Sequence, residues 1–266
     1  MPEGHSIHRL ARRHHQLFRG EALRAASPQG RFAEGAELLD GATLERTDAW
    51  GKHLFHHYTG DLRLHVHLGL YGTFTEGDLP APHPRGALRL RLVGKERWLD
   101  LRGPIACEVL TPEQCRQVTD ALGPDPLREG SDPALVLARL ARSRASVGSL
   151  LMNQQVVAGV GNVYRAEILF RHGVSPFLPG RDLEESTWLS MWADLSVLMR
   201  AGVRTGRIVT TDPEDRARPA GRARRVDAHY VYRRTGQPCR RCDTPVSQVE
   251  MAARNLFWCS WCQPDP

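Results

Sequence analysis

Hydrophobic residues follow a helical period near the N-terminus. Their spacing places them on one side of a helix, and the arginines of the same segment fall largely on the other side. These apolar residues are Ile7, Leu10, Ala11, Leu17 and Phe18. The pattern predicts an amphipathic helix that begins after Gly4.

Beyond this segment the period changes to two, which is typical of half-buried strands. Alternation is clear at residues 62–68, 88–92 and 98–101, and turn residues separate these runs. Residues 20–110 therefore predict an antiparallel sandwich or barrel. After Thr111 the helical period returns. The predicted helices lie near residues 112–121, 133–141, 146–154, 163–171 and 184–203.

The change of period, with a proline-containing linker at residues 123–126, predicts an α+β chain of three parts. They are an N-terminal helix with an antiparallel β-sandwich at 1–122, a helical part at 127–225 and a tail at 226–266. Residues 204–225 hold seven arginines and little apolar periodicity, which predicts a mobile basic loop. The tail is too short and too poor in aliphatic residues to build its own core, so a cross-link must hold it.

Composition and charge narrow the classes of partner. The chain has 266 residues, 41% hydrophobic and 25% charged, as expected of a folded protein. Its 36 Lys plus Arg against 30 Asp plus Glu leave a net charge of +6, which favours a polyanion such as nucleic acid. The first twenty residues lack the apolar region of a signal peptide, and the uncharged run 145–164 is too polar to span a membrane. We therefore expect a cytoplasmic protein without a membrane partner.

Four of the six cysteines form two closely spaced pairs. Cys239 and Cys242 are separated by two residues, as are Cys259 and Cys262, with sixteen residues between the pairs. This is the spacing of a four-thiolate zinc site, in which two tight turns each supply two ligands. Four protein ligands leave no open position for water, so the sequence predicts one structural Zn²⁺ ion.

Two further segments carry residue types suited to binding phosphate. Arg254 lies near the turn of a hairpin predicted between the cysteine pairs. Two interpretations fit this position: a contact with DNA, or a side chain that is only solvated. The loop 157–162 precedes a helix, and Asn162 is predicted to cap it, with the first N–H groups of the helix facing outward. A helix start of this kind binds phosphate, although a capped helix after a tight turn has the same spacing.

The start of the chain offers a nucleophile and an acid side by side. Removal of Met1 leaves Pro2 as a terminal secondary amine, with a pKa near 7.7–8 for an α-amino group, so part of it is neutral and nucleophilic. Such an amine attacks C1′ of a sugar, and Glu3 is the adjacent acid. The alternative is that Pro2 only reflects N-terminal processing.

Lysine is rare in this arginine-rich chain. Only Lys52 and Lys95 occur, beside thirty-four arginines. Lys52 precedes a predicted strand and is placed to contact a phosphate or a developing sugar alkoxide, whereas Lys95 lies in a solvated turn. Histidines 53, 56, 57, 65 and 67 alternate on nearby strands, and such a sheet face needs no metal ion.

Together these segments resemble the formamidopyrimidine-DNA glycosylase and endonuclease VIII family over essentially the whole chain. The Pro2-Glu3 start is similar to the catalytic N-terminus of the family, and Lys52 to its catalytic lysine. Residues 157–164 resemble its helix-two-turn-helix motif with the phosphate-binding asparagine at Asn162, and residues 232–263 its zinc finger with the DNA-contacting arginine at Arg254. The resemblance implies a monomeric bacterial DNA glycosylase and abasic-site lyase that acts on damaged double-stranded DNA and associates with the nucleoid when acting.

Residues 67–72 resemble the loop that fills the gap left by the extruded base. Leu70 and Tyr71 are similar to the endonuclease VIII branch, although Gly69 stands where a glutamine is often found. The purine-repair branch has an Arg-Arg-Phe segment, and residues 100–105 lack the added Arg and Phe. The resemblance therefore implies excision of oxidised pyrimidines with β,δ-elimination. The alternatives are an oxidised-purine glycosylase and a catalytically silent zinc-finger protein that binds damaged DNA.

Overall fold

The computed structural model describes residues 2–265, and the chain divides into two compact units, with the division between Ala121 and Leu122. The first unit contains three α-helices and eight strands among its described residues. Its helices are α1 (Gly4–Phe18), α2 (Ala33–Leu39) and α3 (Pro112–Asp120). Its strands are β1 (Arg24–Ala26), β2 (Leu44–Trp50), β3 (His53–Tyr58), β4 (Arg63–His67), β5 (Thr73–Asp78), β6 (Leu88–Val93), β7 (Arg97–Arg102) and β8 (Ala106–Leu110).

The strands of the first unit form two antiparallel sheets. One has the order β1-β6-β7-β5 and the other β2-β3-β4-β8. One apolar cluster takes side chains from both sheets, among them Leu54 and Val66 from one and Leu92 and Leu99 from the other. Alternation along each strand sends these side chains inward, so the predicted antiparallel sandwich is confirmed.

Helix α1 packs on this cluster with the predicted stripe. Ile7, Ala11 and Phe18 are buried, while the arginines of the helix are exposed. The helix begins at Gly4 because Glu3 is its N-cap, and Ser6 Oγ accepts the Glu3 backbone N–H at 3.2 Å. The predicted helix is therefore confirmed.

Helix α2 lies within residues 20–110, where the sequence pattern predicted an antiparallel sandwich or barrel but not this helix. It buries only Ala36 and Leu39, which is one side of two turns. Such a short stripe is too brief to give a clear helical period.

The second unit contains four α-helices and a two-stranded ribbon among its described residues. They are α4 (Pro133–Leu140), α5 (Val147–Leu150), α6 (Asn162–Arg171), α7 (Glu185–Thr205), β9 (Ser247–Met251) and β10 (Arg254–Trp258). One apolar cluster joins all four helices, with Leu140, Val147, Ile168 and Trp188 among its members. The ribbon shares a second cluster with α6, in which Phe170 stacks on Tyr230.

Two details of this unit differ from the sequence prediction. Helix α5 has four residues rather than nine, because the chain tightens after Leu150, where the N–H of Asn153 bonds to the Leu150 carbonyl at 3.1 Å. The N-cap of α6 is Gly161, and Asn162 is the first residue of the helix rather than its cap. Asn162 is instead turned inward, with 4% of its surface exposed.

The basic segment 204–225 has neither an additional α-helix nor a strand beyond the end of α7. Part of it is nevertheless tied to the rest of the unit, because Thr210 and Thr211 are buried and both donate hydrogen bonds, and Asp212 pairs with Arg171. The Thr210 hydroxyl donates to Glu167, and the Thr211 hydroxyl donates to the Asp227 carbonyl at 2.6 Å. The prediction of mobility therefore does not describe these two residues, whose polar groups are satisfied inside the protein.

None of the helices described between residues 2 and 265 is both long and apolar enough to cross a membrane.

A buried ion pair inside the first unit generates a stability prediction. Arg91 donates to both carboxylate oxygens of Asp100 at 2.7 and 2.8 Å, and Asp100 is fully buried. Asp100→Ala leaves the Arg91 charge without this partner and should lower the free energy of unfolding by about 3–5 kcal/mol. Glu113→Ala, which breaks the exposed pair with Arg116, is the control and should cost less than about 1 kcal/mol. Urea unfolding measures both, and equal losses for the two variants would contradict the prediction.

Candidate active site and metal centre

The first unit places Pro2 and Glu3 at the start of α1. Pro2 is half-buried and Glu3 is fully buried. Met1 lies outside the described residues, so its removal stays a prediction. The next side chain, His5, is also buried, and this burial together with nearby positive charge lowers its pKa to about 4. His5 is therefore neutral at pH 7 beside the predicted nucleophile and acid.

Lys52 lies at the tip of the hairpin that joins β2 to β3. Trp50 pairs with His53, which leaves Gly51 and Lys52 as the two residues of the turn. Gly51 has a φ of 57°, a left-handed conformation that glycine adopts without the steric cost of a Cβ. Lys52 is half-buried at this tip, and α1 packs against β2, where Thr47 Oγ1 donates to the Ala11 carbonyl.

Imidazole rings on the same sheet form a hydrogen-bonded chain beside Lys52. His53 pairs with His67 in the antiparallel register and lies diagonally opposite His65, and the His53 Nδ1 to His65 Nε2 distance is 2.8 Å. His65 Nδ1 lies 2.8 Å from Glu108 Oε1. Because a carboxylate only accepts, His65 carries its proton on Nδ1, and its Nε2 accepts the Nδ1 proton of His53. The sequence pattern showed the alternation of these histidines but not the hydrogen bonds that connect His53, His65 and Glu108.

These histidines are neutral at physiological pH. Burial, with contributions from the nearby His65, His67 and Lys52, lowers the pKa of His53 to about 3. Burial also lowers the pKa of His67, again with contributions from His65 and Lys52. The positive charge at this corner of the sheet is therefore carried by Lys52 and not by the imidazoles around it.

Three exposed apolar side chains lie on two adjoining loops of the first unit. Leu70 and Tyr71 are 44% and 87% exposed on the loop between β4 and β5, and Ile105 is 73% exposed on the loop between β7 and β8. A Cβ at Gly69 would lie 2.3 Å from Ile105 Cδ1, so glycine is required for this close approach. We call these three residues the apolar patch. Exposed apolar side chains grouped in this way mark an interaction surface.

Ile105 was not predicted from the sequence. In residues 100–105 the missing Arg-Arg-Phe segment is the feature that bears on substrate, and no local period marks the isoleucine at its end. The available signal was a large apolar residue in a turn between Pro104 and Ala106, at a place where no strand period requires one.

In the second unit, Asn162 and Arg254 are linked through the ribbon. The Asn162 side-chain amide donates to the backbone carbonyl of Asn255 at 2.9 Å, and Asn255 follows Arg254 on β10. Arg254 itself is exposed, directly after the turn residues Ala252 and Ala253. The structure thus places a solvent-facing arginine one residue away from the contact that joins the ribbon to the N-terminus of α6.

The four predicted cysteines come together in the second unit. Their sulfur atoms all lie within 4.8 Å of one another, with Sγ–Sγ distances of 3.9 Å for Cys239 and Cys262 and 3.4 Å for Cys242 and Cys259. Zinc–sulfur bonds of about 2.3 Å in a tetrahedron place the sulfurs about 3.8 Å apart. The cluster therefore fits one structural Zn²⁺ ion, which four thiolates enclose without an open position.

Three family models match the chain. The formamidopyrimidine-DNA glycosylase N-terminal domain matches residues 1–106, and the formamidopyrimidine-DNA glycosylase H2TH domain matches residues 122–214. The zinc finger found in FPG and IleRS matches residues 236–264, which contain all four cysteines. The expected zinc cofactor is therefore confirmed.

Two relatives match the chain over nearly its whole length. Endonuclease 8 1 of Mycobacterium tuberculosis (strain ATCC 25618 / H37Rv) is 49% identical over 268 aligned positions, covering 99% of this chain and 100% of the relative. A formamidopyrimidine-DNA glycosylase of Thermus thermophilus is 31% identical, covering 99% of this chain and 98% of the relative.

Solved structures share the fold. The MutM (FPG) protein from Thermus thermophilus superposes with a TM-score of 0.81 at 28% identity, with all of both chains covered. The complex between Lactococcus lactis Fpg and an abasic site containing DNA gives a TM-score of 0.82 at 21% identity, covering 99% of this chain and 100% of that one. The expected fold of antiparallel sandwich, helix-two-turn-helix domain and zinc-finger hairpin is therefore confirmed.

The cysteine cluster generates a metal-binding prediction. Wild-type protein should contain about one zinc ion per chain, and Cys259→Ser should lose most of it because a buried thiolate ligand is removed. Cys115→Ser is the matched control, since Cys115 lies outside the cluster, and it should retain full zinc content. Elemental analysis of the purified proteins decides, and stoichiometric zinc in Cys259→Ser would contradict the assignment.

Proposed function

The chain belongs to the formamidopyrimidine-DNA glycosylase and endonuclease VIII family of DNA glycosylases and abasic-site lyases, and on that premise we propose that it excises oxidised pyrimidines from double-stranded DNA. The observation that carries the substrate assignment is the apolar patch of Leu70, Tyr71 and Ile105. Its loops present apolar side chains and no arginine–phenylalanine pair to read the opposite base. The identity with an endonuclease 8 supports the same branch.

In the proposed reaction Pro2 is the nucleophile. The neutral nitrogen of the terminal proline attacks C1′, the glycosidic bond breaks, and its electron pair leaves with the base, which takes a proton from Glu3. The C1′–O4′ bond then breaks, the N–H proton of the new ammonium passes to O4′, and the resulting iminium makes the C2′ proton acidic. Its transfer to the Glu3 carboxylate drives β-elimination of the 3′ phosphate, and δ-elimination of the 5′ phosphate follows. The burial of Glu3 supports this role, because its carboxyl is kept from bulk water.

Lys52 supplies positive charge at the reacting nucleotide in this proposal. It stabilises a nearby phosphate or the alkoxide that forms as the sugar opens. The neutral state of His53 and His67 supports the assignment, since neither competes with the lysine as a cation.

The apolar patch has the task of replacing the extruded base. Flipping a nucleotide costs a few kcal/mol. Tyr71, the most exposed of the three side chains, recovers about 1–3 kcal/mol by stacking in the gap, while Leu70 and Ile105 wedge the step. Because these amounts are comparable, bases that stack poorly are extruded most readily. Ring-saturated pyrimidines are such bases.

The second unit holds the duplex in this proposal. Arg254 and the N-terminus of α6 near Asn162 contact backbone phosphates, and the zinc ion fixes the ribbon that carries Arg254. The net charge of +6 supports association with DNA.

Covalent catalysis by Pro2 predicts that trapping does not need lysine. Lys52→Arg/Lys95→Arg contains no lysine but keeps both charges, since these are the only two lysines of the chain. Borohydride should still fix this variant to a duplex with a preformed abasic site, and peptide mapping should place the adduct on the N-terminal residue.

Glu3→Gln is the companion variant. It should lose excision of a damaged base while keeping much of the lyase step, because a preformed abasic site has no leaving base to protonate. An adduct on Lys52 in the wild type, or no trapping by the folded lysine-free variant, would refute the assignment. Binding without any trapping by wild type would favour a silent damage-binding protein.

The substrate proposal is tested by single-turnover excision of thymine glycol and of 8-oxoguanine in matched duplexes. Thymine glycol should react faster, with weak dependence on the opposite base. Tyr71→Ala and Ile105→Ala should each slow its excision about tenfold, as expected for the loss of about 1.4 kcal/mol of stacking or wedging. Leu38→Ala, which removes an exposed apolar side chain from α2, is the control and should match wild type. Faster removal of 8-oxoguanine opposite cytosine would establish the purine alternative instead.

A further inference from the structure

An arginine on α6 is completely buried. Arg165 has 0% of its surface exposed, although arginine is among the residues least often buried. It lies one turn after Asn162 on the same helix. A buried guanidinium is costly unless its donors are satisfied, so its contacts indicate what it is for.

The Arg165 contacts reach the strand that leads into the hairpin turn. Its Nη1 donates to the Met251 carbonyl at 3.1 Å, and its Nη2 donates to the Asn162 side-chain oxygen. Asn162 in turn donates to the Asn255 carbonyl at 2.9 Å. One acceptor, Met251, lies before the turn and the other, Asn255, lies after it. Arg165 and Asn162 together therefore bind both strands of the ribbon next to Arg254.

The turn needs such support. Ala252 and Ala253 have φ values of 54° and 53°, which is the left-handed region for both central residues. Asparagine and glycine adopt the conformation of this two-residue turn readily, whereas for alanine it is sterically unfavourable at each position. Contacts from outside the turn must therefore compensate for its own poor conformational preference.

We propose that Arg165 is a positioning residue, which holds the hairpin turn against the start of α6 so that Arg254 and the helix N-terminus meet neighbouring phosphates as one preformed surface. This inference rests on the proposed function, because it assumes that both groups contact DNA. Preformed geometry removes the cost of ordering the turn when DNA binds.

The test is the salt dependence of binding to a duplex that contains a tetrahydrofuran abasic analogue. We call the magnitude of the slope of log K against log salt the slope. Each lost phosphate contact lowers this magnitude by about 0.9. Arg254→Ala should lose about one contact and about tenfold in affinity at physiological salt. Arg165→Met keeps the side-chain bulk but removes the hydrogen bonds, and it should lower the slope by a similar amount although Arg165 is buried.

A double variant separates positioning from general destabilisation. In the Arg254→Ala background, Arg165→Met should change affinity less than about twofold, because its effect passes through Arg254. Arg171→Met is the matched control on the same helix, with the same change of charge. Arg171 pairs with Asp194 and Asp212 rather than with the ribbon, so its variant should leave the slope unchanged. Zinc content and thermal melting establish that each variant is folded.

Each result assigns the failure to one claim. An unchanged slope in Arg254→Ala would remove the proposed DNA contact itself. A reduced slope in Arg254→Ala with an unchanged slope in Arg165→Met, or additive losses in the double variant, would refute the positioning role alone. If Arg165→Met does not fold, Arg165→Lys decides, because lysine keeps the charge but does not bond both acceptors at once. Its slope should lie below that of wild type, and a wild-type slope would overturn the proposal.

Discussion

Buried polar side chains on α6 determine where the zinc ribbon lies. The Glu167 carboxylate is fully buried and accepts the backbone N–H groups of Tyr230, Val231 and Tyr232 at 2.7, 2.9 and 2.8 Å. Hydrogen bonds to a charged acceptor are stronger than neutral ones, and a buried carboxylate that lacked them would be costly. The segment leading into the ribbon is thereby fixed along one side of α6.

Two kinds of constraint therefore act on a part of the chain that has little apolar core of its own. The zinc ion fixes the internal geometry of the ribbon, as metal binding does in small domains. The polar groups of α6 fix its position. Glu167 holds the segment that leads into the ribbon, and Asn162 and Arg165 hold the two strands next to the hairpin turn. Arg254 is exposed at the tip, so its placement follows from both constraints together.

Local patterns predicted the fold well where a pattern of residues has few structural explanations. Period-two alternation located β4, β6 and β7, and the cysteine spacing located the metal centre, because each pattern has few competing explanations. Arg165 was not predicted, since an arginine in a helix is ordinarily solvated and its burial depends on a strand 86 residues later. The inward turn of Asn162 was missed for the same reason. Contacts between distant segments leave no local period in the sequence.

Three features act together in the proposed reaction: a nucleophile at Pro2, an apolar patch that fills the gap and a preformed phosphate-binding surface that carries Arg254. The most direct test is a crystal structure of the borohydride-reduced complex with a duplex that contains an abasic site. We predict a covalent bond from the Pro2 nitrogen to C1′, Tyr71 in the gap in the helix, and the Arg254 guanidinium within hydrogen-bond distance of a phosphate. A bond from Lys52 to C1′, or a ribbon whose Arg254 points away from the DNA, would contradict the account.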